Sequence, residues 1–83
     1  MELVDRVRKA IALFNENMSL VDGLGLSEEE KEVIELAKMY AGDSEAWLRK
    51  EDYVTAFSGI EYAHGLLDAI LKTKGKDPYD TNK

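Results

Sequence analysis

The chain has 83 residues, 17 acidic side chains against 11 Lys and Arg, a net charge of −6, one histidine and no cysteine. That length holds one small domain, whose single core is marginal without a disulfide, a metal or a partner. The lack of cysteine excludes disulfides, thiolate metal sites and thiol nucleophiles, and the acidic balance disfavours nucleic acid and anionic lipid surfaces as partners.

No apolar run approaches the roughly 20 residues that span a bilayer. The first residues, MELVDRVRKA, mix charge with apolar side chains and have no signal-peptide core, so the expectation is a cytoplasmic protein. A lone histidine leaves zinc without its usual ligands, and no cofactor motif is present.

The apolar spacing is helical from end to end. Val4, Val7, Ile11, Phe14, Met18 and Val21 recur at steps of three and four and form one stripe of a first helix. DGLG at 22–25 breaks it. SEEE then supplies Ser27 as an N-cap with Glu30 three residues on, a capping box, and acids in the first turn that suit the helix dipole. Val33, Ile34, Ala37, Tyr40, Ala41, Ser44, Trp47 and Leu48 hold the stripe of a second helix. It runs in phase across Gly42, which predicts one unbroken helix.

RKED at 49–52 is the next boundary, and Asp52 can cap a third helix starting at Tyr53. Its stripe is Tyr53, Ala56, Phe57, Ile60, Ala63, His64, Leu67 and Leu71. No alternating strand pattern and no internal repeat occurs. The predicted fold is all-α: a three-helix up-and-down antiparallel bundle over 1–74, followed by a short flexible tail over 75–83.

Two regions of the third helix carry functional expectations. His64 falls near the middle of the stripe, with Glu61 and Asp68 at i−3 and i+4. One reading makes His64 a core-edge residue bonded to a carboxylate, a backbone carbonyl or Tyr40. The other makes His64, Asp68 and Tyr40 a small-ligand or divalent-cation site, or pairs His64 with Ser44 as base and nucleophile. No glycine-rich loop supplies an oxyanion hole. The E-x-x-E spacings at Glu29, Glu32 and Glu35 lack a matching acidic pair on a facing helix. Fourteen residues separate Arg49 from His64, too many for the arginine–histidine motif of helical nucleases. No enzymatic activity is expected.

The other region is a flank with no charge: Thr55, Ser58, Gly59, Tyr62, Leu66, Ala69 and Thr73. A bundle helix normally leaves a wide polar face to water. Ala56, Gly59 and Ala63 would admit another helix closely, with Trp47 a candidate neighbour. Gly59, Tyr62, Leu66 and Ala69 are therefore expected to form an interface for a homodimer or another protein, and Leu13 and Met39, off their stripes, add exposed apolar surface.

EDYVTAFSGIEYAHGLLDAI at 51–70 resembles an archaeal family known as domain of unknown function 357. The likeness rests on Asp52, Tyr53, Ala56, Phe57, Tyr62, Ala63, His64, Gly65, Leu67, Asp68 and Ala69, with a looser match around Tyr40, Ser44 and Leu48. Glu51 stands where members commonly carry glycine. The resemblance implies a three-helix up-and-down bundle in an archaeal cytoplasm and implies no reaction.

Overall fold

A computed structural model describes residues 1–76 and contains three helices: α1 (Leu3–Met18), α2 (Glu28–Arg49) and α3 (Tyr53–Thr73). A single 3₁₀ turn over Ser19–Val21 closes α1, and Gly23 then takes the left-handed φ of 81° that turns the chain toward α2. From residue 77 on, the expected tail lies outside the described residues. Its first two positions, Gly75 and Lys76, are part of the α3 cap: their amides bond the carbonyls of Lys72 and Leu71 at 3.0 and 2.8 Å.

The helix starts follow from side-chain chemistry. Ser27 Oγ accepts from the Glu30 amide at 3.1 Å, and the Ser27 amide donates to Glu30 Oε1 at 2.8 Å, a complete capping box. Asp52 Oδ1 accepts from the Thr55 amide at 3.1 Å, and its other oxygen takes the Thr55 hydroxyl at 2.8 Å. α2 passes through Gly42 without interruption.

The core is the set of facing stripes. Val7, Phe14, Ala37, Ala56, Ile60, Ala63, Leu67 and Leu71 are almost wholly buried, with Ile11, Ile34, Ala41 and Ile70 at its margin. α3 is the shared element: it packs along α2 most extensively, then along α1, while α1 and α2 meet least. The bundle is correspondingly thin, with extents of 37 × 30 × 15 Å. The side of α3 turned away from the core is flanked by two grooves, one shared with α2 and one with α1.

Two grooves beside the third helix

The α2–α3 groove is built on small residues. Ser44 is fully buried and donates its hydroxyl to the Ala56 carbonyl at 2.6 Å, so it satisfies itself against α3. Gly59 lies opposite: a Cβ there would sit 3.6 Å from Ser44 Cβ and 3.6 Å from the Tyr40 carbonyl oxygen. Above this floor Tyr40, Asp43 and Trp47 from α2 and Thr55, Ser58 and Tyr62 from α3 enclose about 270 Å³. Tyr40 and Tyr62 meet edge to face with centroids 4.7 Å apart, a contact worth about 0.5–1.5 kcal/mol beyond its buried area. Even so, Tyr62 remains 50% exposed and Trp47 39%. Lys50 lies 4.9 Å over the Trp47 ring and covers part of it.

The four expected interface residues are not equivalent. Tyr62 and Ala69 are exposed; Gly59 faces α2 and Leu66 is half-buried against the core. The small residues at 56, 59 and 63 are thus spent on contacts within the chain: Ala56 and Ala63 are wholly buried and Gly59 touches α2. Exposed Leu36 and Met39 extend the apolar surface of α2, and Leu13 is exposed on α1.

The α1–α3 groove holds the histidine. His64 is 8% exposed, with its ring edge-on to Phe14 at 5.7 Å. Its Nε2 lies 2.7 Å from the Ala10 carbonyl oxygen. A carbonyl only accepts, so Nε2 carries the proton and donates; Nδ1 is then an acceptor in the neutral ring and a second N–H donor in the charged one. Of the partners considered for His64, the backbone carbonyl is the one used. Nδ1 itself is buried without a partner, and so is Asp68 Oδ1 one turn further on. Unpaired buried acceptors cost about 1–3 kcal/mol each and are uncommon in folded proteins. Ala10, Leu13, Glu61, Gly65 and these two residues line about 290 Å³.

His64 and Asp68 therefore share a site, but Tyr40 belongs to the other groove with Tyr62, and Ser44 lies there too. The His64–Ser44 pairing and the three-residue His64, Asp68, Tyr40 grouping both dissolve. Among the described residues no group of three or more His, Cys, Asp or Glu side chains comes together to hold a metal ion. Sequence reasoning missed Asn17, buried with its Nδ2 unpartnered. The available signal was its position seven residues after Ala10, on the same face of α1.

A charged link ties the far end of the bundle. Lys74 Nζ donates to the Gly25 carbonyl at 2.8 Å and pairs with Glu30 Oε1 at 3.0 Å. The Ser27 amide first, and Lys74 second, hold the Glu30 carboxyl below its ordinary value of 4.5. No helix among the described residues is long and apolar enough to cross a membrane.

Fold and surface define a small all-α bundle with an uncharged helix flank. The chain belongs to the family described as Protein of unknown function (DUF357), whose model matches residues 5–74. No curated protein and no solved structure matches it.

Proposed function

We propose that the protein is an association module whose docking surface is the outer flank of α3 with the adjoining rim of α2. The observation that carries this reading is Tyr62. It is anchored edge-on against Tyr40, half exposed beside Trp47, and set in a flank where Thr55, Ser58, Ala69 and Thr73 are exposed and uncharged. Aromatic residues fixed by their neighbours lose little entropy on binding and dominate interface energetics.

A second copy of the chain is the partner we favour. Two molecules of net charge −6 repel at long range, and a flank without charge is where that repulsion is weakest at contact. A two-fold pairing would bring the same surface together from both sides and add apolar burial to a small core. Sedimentation velocity from low to high micromolar concentration tests this. The expected result is a concentration-dependent dimer, with Tyr62→Glu weakening it about 30-fold or more while helicity is retained. A monomer throughout the range, unchanged by Tyr62→Glu, sinks the self-association reading.

A further inference from the structure

We infer that the α1–α3 groove binds a primary ammonium group, with Nδ1 of His64 and Oδ1 of Asp68 as its acceptors and Glu61 as a second negative charge at the mouth. The chemistry of the unpaired atoms sets the class of ligand. With Nε2 donating to Ala10, Nδ1 offers a lone pair in the neutral ring, the form this site requires. Asp68 Oδ1 also only accepts, and both atoms are buried without a donor. The remaining lining, Ala10, Leu13, Glu61 and Gly65, brings no side-chain donor. Donors must come from outside, and an ammonium group carries three of them.

Charge narrows the class further. Glu61 and Asp68 place two carboxylates at the groove, and neither takes part in the ion pairs formed among the described residues. The net charge of −6 draws cations toward the surface. A metal ion fits less well: Glu61, His64 and Asp68 all line the groove, but among the described residues no three such side chains come together as metal ligands.

Gly65 also lines the groove. It lies in the middle of α3, where glycine weakens a helix, and a Cβ there would meet nothing within 4 Å. Gly59, by contrast, faces α2. No packing within the chain requires glycine at 65, and the space beside it is open. Nδ1 and Oδ1 lie beneath the surface, so side chains lining the groove shift to let the ammonium group reach them.

His64 is the only histidine, so its imidazole ¹⁵N resonances report the site without ambiguity. At constant pH, methylammonium is expected to move the Nδ1 resonance saturably. Potassium and tetramethylammonium, which carry the same charge without N–H donors, leave it in place. Asp68→Asn weakens the response about tenfold or more, and Gly65→Leu, which fills the mouth, abolishes it with helicity unchanged. Putrescine against a short lysine-containing peptide separates a free amine from a protein lysine as the source, by which saturates at lower concentration. The proposal is overturned by an Nδ1 resonance indifferent to methylammonium, by an equal response to tetramethylammonium, or by an unaltered response in Gly65→Leu.

Discussion

Glu51 adopts φ 63°, a left-handed conformation that costs an L-residue about 1–2 kcal/mol and glycine almost nothing. The reason is the way α2 ends. The Glu51 amide bonds the Leu48 carbonyl and the Asp52 amide bonds the Trp47 carbonyl, both at 3.0 Å, which is the Schellman arrangement. α3 ends in the same way, but with Gly75 at φ 77° in the strained position. Glu51→Gly should therefore raise stability by about 1 kcal/mol, read as a higher denaturant midpoint at unchanged slope. A lower midpoint would mean that the glutamate side chain contributes more than its backbone costs. Gly59→Ala is the companion test. Its Cβ would make ordinary contacts at 3.6 Å, so the substitution should be neutral or stabilise by up to about 1 kcal/mol; a clear loss would show that α2 and α3 cannot move apart even slightly.

At the scale of the helix, α2 begins where Ser27, Glu30 and Lys74 converge. Glu30 is bonded to the Ser27 amide and to Lys74, and its carboxyl sits below 4.5 in the folded state. A depressed folded-state value means that the ionised form stabilises the fold. That contribution is complete above the unfolded value and disappears as pH falls from about 4.5 through the lower folded value. The melting temperatures of wild type and Glu30→Gln should differ at neutral pH and converge below that window. A gap that persists in acid would assign the effect to shape rather than charge. Ser27→Ala, which removes the oxygen that accepts the Glu30 amide, should cost about 1 kcal/mol. The box was legible in the sequence because its partners are three residues apart. Lys74 was not, since it comes from the opposite end of the chain.

For the whole molecule, the thin arrangement makes α1 the least secured helix. It rests mainly on α3, and among its ties is the hydrogen bond from His64 to Ala10. His64→Ala would remove that bond and leave a void against Phe14, costing about 2–4 kcal/mol. Hydrogen exchange should show α1 amides around Val7–Phe14 losing protection before those of the α2–α3 hairpin. Uniform loss across all three helices would mean that the bundle opens only as a unit.

The sequence by itself determined three helices, the N-caps of α2 and α3 and the inward direction of His64, because each depends on residues within about one or two turns of one another. It also marked Tyr62 as outward, on the same angular argument. What only the tertiary structure decided is which helix stands beside which flank. Tyr40 was grouped with His64 from its place on the stripe of α2, but the packing sets it against Tyr62, and the partner of His64 is a backbone carbonyl of α1. A helical period fixes where a side chain points around its own axis. The rotation of one helix against another is set by interdigitation of side chains far apart in sequence, and no local spacing encodes it.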